Sequence, residues 1–138
     1  MTTPPERSDI SGWLLLLARW LIVGQPILFA FTASTALGAL AIRGLPLALL
    51  IVVRLIVTAF GLAAGLAMTA CRPAAVTMAT IALSISAAAD VFTLTTSIWP
   101  NNRAPGDTPL YVAATLTFHV AWVIYLHRSR RVRATFGL

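Results

Sequence analysis

The sequence predicts an all-α, polytopic integral membrane protein with four transmembrane helices in an up-down bundle and both termini in the cytoplasm. Of its 138 residues, 59% are hydrophobic and only 10% are charged, and the mean hydropathy is +0.88. Ordinary globular domains carry about 25% charged residues. A soluble domain of this length needs a polar surface that this composition cannot supply. Composition therefore favours a membrane protein.

Four apolar stretches are each long enough to cross the hydrocarbon layer, which takes about 20 residues. We predict a single four-helix domain over residues 1–138, with spans 13–42, 46–70, 73–99 and 109–127 and a basic cytoplasmic tail at 128–138. The first span is too long for an upright helix and contains Gly24, Gln25 and Pro26, so we expect it to be tilted or kinked. The stretch Arg43–Pro46 is predicted to be a tight turn, with its proline in the first turn of the second helix.

Arginine counts predict the orientation, because short cytoplasmic loops carry an excess of basic residues. Only Arg43 and Arg103 fall on one side of the predicted bundle. The other side receives Arg7, Arg72, Arg128, Arg130, Arg131 and Arg133. The four arginines of the 128–138 tail are expected to meet anionic lipids at the cytoplasmic face, either as a topology anchor or as a docking site for a partner. No nucleic-acid partner is predicted, since the basic residues form no patch beyond this tail.

One arginine lies inside the oily segment Leu49–Phe60. Arg54 is eight residues past Pro46, roughly 12 Å into the span at 1.5 Å per residue. An unpaired charge at that depth costs about 2.5 to 3.5 kcal/mol, so a partner is expected. Asp90 lies 18 residues after Arg72, and Arg54 lies 18 residues before it. In an antiparallel hairpin the two side chains reach the same depth, which predicts an intramembrane ion pair between Arg54 and Asp90.

Small and polar residues recur at helical spacing on the second and third spans. The second span carries Arg54, Thr58, Gly61, Gly65 and Thr69. The third span carries Ala79, Ala82, Ser86, Asp90 and Thr93. Each set occupies one helix face, and Gly61 and Gly65 form a GxxxG pattern that allows close helix packing. We expect these two faces to meet.

Two interpretations of the buried polar residues stay open. The ion pair either fixes the register of the hairpin, or it opens when Asp90 is protonated or when a ligand separates it. His119, near mid-membrane on the fourth span, and Gln25 on the first are candidates for a polar pathway. The more ordinary interpretation is that His119 bonds to a neighbouring helix and that the Gln25 amide satisfies backbone groups released by Pro26.

Sequence motifs for catalysis and cofactor binding are missing. We find no nucleophile elbow, zinc-protease or phosphate-loop motif, no Cys or His pairs at metal spacing, and no haem motif. The single cysteine, Cys71, excludes an intrachain disulfide. We therefore predict no catalytic, cofactor-binding or metal site, and a protein that is not an enzyme.

The end of the chain resembles a known family. The segment Ala121–Phe136 is similar to the closing signature of the YdgK-like proteins, small proteins of the bacterial inner membrane. The matching positions are Trp122, Tyr125, Ser129, Arg130, Arg131, Val132, Arg133, Thr135 and Phe136. Gly12–Leu17 is similar to the opening of these proteins. The resemblance implies a four-helix inner-membrane protein of unknown function and supplies no catalytic residues. As a hypothesis, Val132 and Phe136 form the apolar side of a short interfacial helix.

Two classes of function follow from these observations. The first is a non-enzymatic accessory or assembly subunit of a larger membrane complex, held by helix packing and by the basic tail. The alternative is a small oligomeric transporter or channel that uses the Arg54 and Asp90 pair with His119, since four spans in one chain do not easily surround a solute pathway.

Overall fold

A computed structural model of the chain describes residues 10–101 and 103–138. The all-α prediction is confirmed over these residues, which form no strand. Four helices are long and apolar enough to cross a membrane, over Trp13–Gly38, Leu40–Thr69, Ala75–Thr95 and Thr108–Arg128. Arg7, which contributed to the predicted orientation, lies outside the described residues.

The first span is a helix with a change of pitch in the middle. It comprises α1 (Trp13–Arg19), a π-helical turn (Trp20–Gly24) and α2 (Gln25–Gly38). Pro26 has no N–H and its ring crowds the carbonyl four residues earlier, and the wider π turn just before it relieves this conflict. The expected irregularity is therefore a π turn. The span ends at Gly38, four residues earlier than predicted.

The second span, α3 (Leu40–Thr69), begins earlier than predicted. Residues 40–43 form one helical turn, and Gly44 then interrupts the helix with backbone angles of φ 61° and ψ −147°. Only glycine adopts this conformation without strain. Pro46 follows in the first turn of the continuous helix, as predicted. The expected turn at Arg43–Pro46 is thus a break within a helix, and the connection to the first span lies at Ala39.

The remaining helices are α4 (Ala75–Thr95), α5 (Thr108–Arg128) and α6 (Arg130–Phe136). The third span ends four residues earlier than predicted, while the fourth agrees within one residue at each end.

Arg43 and Arg103 hold the loop that follows α4. Arg43 donates to the carbonyls of Ser97 and Ile98, and Arg103 Nη1 donates to the Leu94 carbonyl at 3.3 Å. Cations bonded to free carbonyls at a helix C-terminus stabilise that end.

One end of the bundle is closed by a cluster of buried apolar side chains, here called the basal cluster. It contains Leu14, Leu17, Ala18, Leu21, Ala64, Ala67, Met68, Ala75, Val76, Ala79, Ala82, Leu83, Leu126 and Val132. Val132 is fully buried, and Phe136 packs against the same cluster. The apolar side of α6 therefore faces the bundle, which corrects the hypothesis that it faces lipid. The tail helix covers this end of the protein.

Large apolar side chains cover the outside of the helices. Phe31 is 72% exposed, Ile42 88% and Leu45 70%. Similar residues project from all four long helices. An apolar outer surface of this extent is typical of a protein whose solvent is the bilayer. With the four long helices, it indicates a multi-pass membrane protein.

Candidate functional site: a polar chamber between four helices

Arg54 and Asp90 meet between α3 and α4. Arg54 Nη1 donates to Asp90 Oδ1, and the two side chains are 16% and 27% exposed. Both residues are 18 positions from Arg72, which lies in the turn at Cys71–Pro73 where the chain reverses. Because an α-helix rises by a constant distance per residue, they lie at the same depth in the two helices. In the described part of the chain the guanidinium has no other hydrogen-bond partner, so its remaining N–H donors stay available.

His119 approaches the other oxygen of the same carboxylate. Its Nδ1 lies 2.8 Å from the Thr115 carbonyl oxygen, and its Nε2 lies 3.7 Å from Asp90 Oδ2. Since a carbonyl oxygen only accepts, we assign the Nδ1 hydrogen to the bond with Thr115. In neutral His119 the Nε2 lone pair then faces Asp90. The carboxylate therefore lies between the Arg54 guanidinium on α3 and the His119 imidazole on α5.

The sequence placed His119 in a polar pathway without naming Asp90 as its neighbour. A signal for this contact was present. With the predicted span ends at Trp99 and Pro109, Asp90 lies nine residues before the loop and His119 lies ten residues after it. The same comparison of depths that paired Arg54 with Asp90 could therefore have predicted that His119 lies beside Asp90.

Gln25 joins the site from the first span. Its Nε2 donates to Ser86 Oγ on α4 at 2.8 Å, while its Oε1 is buried and has no hydrogen-bond partner among the described residues. The side chain thus reaches across the bundle. The expectation that it satisfies backbone groups near Pro26 is wrong, because among the described residues the amide bonds only to Ser86.

Gly61 and Gly65 face the first span. A Cβ at position 61 would lie 2.3 Å from Gln25 Oε1, and one at position 65 would lie 2.7 Å from Ile22 Cγ1. Both glycines therefore take part in close packing, but their partner is the first helix. The α3 and α4 faces do meet at Arg54 and Asp90, as expected, but the two glycines on the α3 face pack against the first helix. The kinked first helix comes close to α3, and only glycine leaves room for it.

A chamber opens between the four long helices at the level of these residues. Its inner part, a cavity of about 330 Å³, is lined by Trp20, Leu21, Gln25, Leu28, Phe29, Arg54, Val57, Thr58, Leu83, Ser86, Asp90, Ala114, Thr115, Phe118 and His119. Its outer part, a cavity of about 320 Å³, is lined by Leu28, Thr32, Arg54, Asp90, Thr93, Leu94, Trp99, Pro100, Asn101, Arg103 and Thr115. The two parts share Leu28, Arg54, Asp90 and Thr115, so they meet at the ion pair.

Comparison with known protein families, with curated proteins and with solved structures finds no match for this chain. The resemblance of the tail to YdgK-like proteins stays a prediction. Among the described residues, no three His, Cys, Asp or Glu side chains lie close enough together to hold a metal ion. The chemistry of the chamber therefore has to be argued from its own side chains.

The two ends of the chamber differ. Its outer part reaches the loop around Trp99 and Arg103. Its floor includes Leu21 and Leu83, which also belong to the basal cluster and are 1% exposed. Beneath that floor, buried apolar side chains fill the bundle. The chamber accordingly extends to the loop end and stops short of the end that carries the basal cluster.

Aromatic rings close the gap between the first and last spans near the chamber floor. The rings of Trp20 and Phe118 meet edge to face with centroids 5.6 Å apart, and Phe118 lies 5.3 Å from the His119 ring in the same manner. Farther along, Trp13 and Trp122 are 6.4 Å apart. Tyr111, at the start of α5, lines neither part of the chamber and lies under the Arg103 guanidinium.

Proposed function

We propose that the protein is a small, non-enzymatic transporter of the bacterial inner membrane, in which the polar chamber binds the transported ligand. The observation that carries this proposal is the chamber itself, which all four long helices line and which holds Arg54, Asp90 and His119. Ionisable residues inside a membrane span are costly, and they commonly mark substrate or ion pathways. The chamber lies within one chain, so ligand binding needs no second copy.

In the orientation that the arginine counts predict, both termini are cytoplasmic and the chamber opens to the outside. The closed basal cluster then forms the inner barrier. Transport requires this cluster to separate, and α6 is in a position to take part because Val132 is buried within it. The function is a cycle between this outward-open form and a form that is open to the cytoplasm.

Thiol labelling tests whether the chamber is open to water from one side. In a Cys71→Ala background, Thr115→Cys places a thiol on the wall that both parts of the chamber share. We expect a charged, membrane-impermeant thiosulfonate reagent to modify this variant when added outside spheroplasts and not when added to inside-out vesicles. The readout is the mass of the purified protein.

The matched control is Leu116→Cys, one residue farther along α5. Leu116 is 42% exposed but lines neither part of the chamber, so its thiol should face lipid and stay unmodified. Equal labelling of the two variants would contradict a water-filled chamber. Labelling of Thr115→Cys only from the cytoplasmic side would contradict the proposed orientation.

A specific observation also favours a second candidate, an accessory or assembly subunit of a membrane complex. With Val132 turned inwards, the arginines Arg128, Arg130, Arg131 and Arg133 are all exposed. They make one end of the bundle strongly positive. Such a surface suits anionic headgroups or an acidic partner protein, with each arginine contributing about 1 kcal/mol of attraction to an anionic leaflet.

Reversing three of these charges tests the second candidate. The variant with Arg130, Arg131 and Arg133 changed to Glu is expected to lose a co-purifying partner or to insert poorly, because its end surface then repels anionic groups. The measurement is a native pull-down combined with quantification of membrane-inserted protein. Unchanged insertion together with unchanged co-purification would rule out this role for the tail.

A further inference from the structure

We infer that the chamber takes an amphiphile with a single hydrocarbon chain and one carboxylate, which reaches it from the bilayer through a slot between α2 and α5. This inference rests on the proposed ligand-binding role of the chamber. It adds the chemical class of the ligand, the residue that holds the headgroup, and the route.

The slot follows from how the helices pack. α3 packs against both α2 and α4, and α4 packs against α5, whereas α2 and α5 make no comparable contact. Leu28 on α2 and Phe118 on α5 line the inner cavity, yet they are 51% and 38% exposed. Side chains that line a cavity and also face outwards stand at its mouth. The contact between Trp20 and Phe118 closes the gap below, so the opening is limited to the level of the chamber.

The charge of the chamber favours an anion. The ionised groups that line its two parts are Arg54, Arg103 and Asp90, which leave one unbalanced positive charge while His119 is neutral. A ligand with one negative charge cancels this excess. A cation meets two arginines and a single acid that is already paired with Arg54. A neutral amphiphile leaves the spare donors of Arg54 unused.

Arg54 is the group that holds the headgroup. One of its amino nitrogens bonds to Asp90, and the other N–H donors have no partner in the described part of the chain. The planar guanidinium matches the two oxygens of a carboxylate, and such charge-assisted bonds are about twice as strong as those between neutral groups. A carboxylate can therefore bind Arg54 without first displacing Asp90.

The lower wall of the chamber suits a hydrocarbon chain. Between the ion pair and the floor, apolar side chains dominate the lining: Leu21, Leu28, Phe29, Val57, Leu83 and Phe118. A cavity of about 330 Å³ is near the lower end of the usual range for small-molecule sites, roughly 300 to 1,000 Å³. It admits one chain, and a two-chain phospholipid is too large. The remainder of a longer chain can leave through the slot into lipid.

Radiolabelled laurate is the probe that tests this inference. The full chain is placed in nanodiscs of neutral phosphatidylcholine, and counts bound to protein-free nanodiscs are subtracted. We expect saturable binding that unlabelled laurate displaces, while methyl laurate and dodecylamine displace it at least about tenfold less well, because charge-assisted hydrogen bonds supply much of the affinity. Equal displacement by either analogue would overturn the assignment of a carboxylate.

One double variant tests the headgroup site, and a pair of tryptophan variants tests the lateral route. Arg54→Gln combined with Asp90→Asn removes both charges and leaves neutral polar side chains at both positions, and it should weaken laurate binding about tenfold or more. Leu28→Trp should block the slot and slow the uptake of laurate. Ile27→Trp is its matched control, since Ile27 is equally exposed at 51% but does not line the chamber. Identical uptake by the two tryptophan variants would overturn the lateral route.

The failure of this inference can be told apart from the failure of the proposed function. Benzoate, a soluble monoanion without a chain, serves as a further competitor. If benzoate displaces the label as well as laurate does, the chamber binds carboxylates without recognising the hydrocarbon chain, and only the ligand class is wrong. If laurate does not bind saturably while Thr115→Cys is still labelled from outside, the chamber stands and the ligand assignment fails.

Discussion

Asp90→Ala is expected to destabilise the protein by about 3 kcal/mol, and Arg54→Ala by clearly less, although each removes one half of the same pair. The asymmetry comes from His119. When Arg54 is removed, Asp90 still has the His119 Nε2 atom 3.7 Å from its other oxygen as a polar neighbour. When Asp90 is removed, Arg54 has no other acid beside it in the described part of the chain, and its charge is left unpaired.

The double variant should lose less stability than Asp90→Ala alone, because it contains no unpaired charge. Reversible unfolding by SDS in mixed micelles measures these differences. His119→Ala supplies the control, since it should cost more in the Arg54→Ala background than in the natural sequence. Additive losses for Arg54→Ala and Asp90→Ala would mean that the two side chains do not interact, and equal single losses would remove His119 from the network.

The parts of the fold that could be predicted are those that depend on periodicity and length. Four apolar stretches of sufficient length define four helices, and equal spacing from Arg72 brings Arg54 and Asp90 together because an α-helix advances by a constant rise. The span ends were less accurate. Thr95 ends its helix four residues early, since loop residues such as Trp99 are apolar and buried without being helical. Gly38 ends its helix four residues early because the chain breaks at Ala39 and residues 40–42 already belong to α3.

The parts that could not be predicted depend on the rotation of one helix against another. The sequence shows that Gly61 and Gly65 share a face, but it does not show which neighbour that face meets. The π turn at Trp20–Gly24 shifts the face that the first helix presents, and this brings Gln25 onto Gly61 and towards Ser86. The chamber arises from the same geometry, because α2 packs on α3 and stays apart from α5.

The two glycines of α3 are expected to respond differently to alanine. Gly65→Ala should cost about 2 kcal/mol, within the usual range for overpacking. Its new Cβ would lie 3.0 Å from Leu21 Cβ and 3.1 Å from the Ala18 carbonyl oxygen, so the helices themselves have to separate. Gly61→Ala should cost less, because its Cβ meets the end of the Gln25 side chain, which can move away at the expense of its bond to Ser86.

A second substitution separates steric conflict from helix propensity. In a Gln25→Ala background, Gly61→Ala should be neutral or stabilising, because the obstructing amide is gone and alanine favours a helix over glycine by about 1 kcal/mol. The same background should leave the loss at Gly65 unchanged. Gly38→Ala is the control, since a Cβ there meets nothing within 4 Å. SDS unfolding measures the stability of each single variant and of each combination with Gln25→Ala. If Gln25→Ala failed to rescue Gly61→Ala, the Gln25 amide would not be the group that requires glycine at position 61. The backbone of the first helix would then be the group that lies against α3 at both glycines. The contact between Gln25 and Ser86 in the chamber wall would not depend on Gly61.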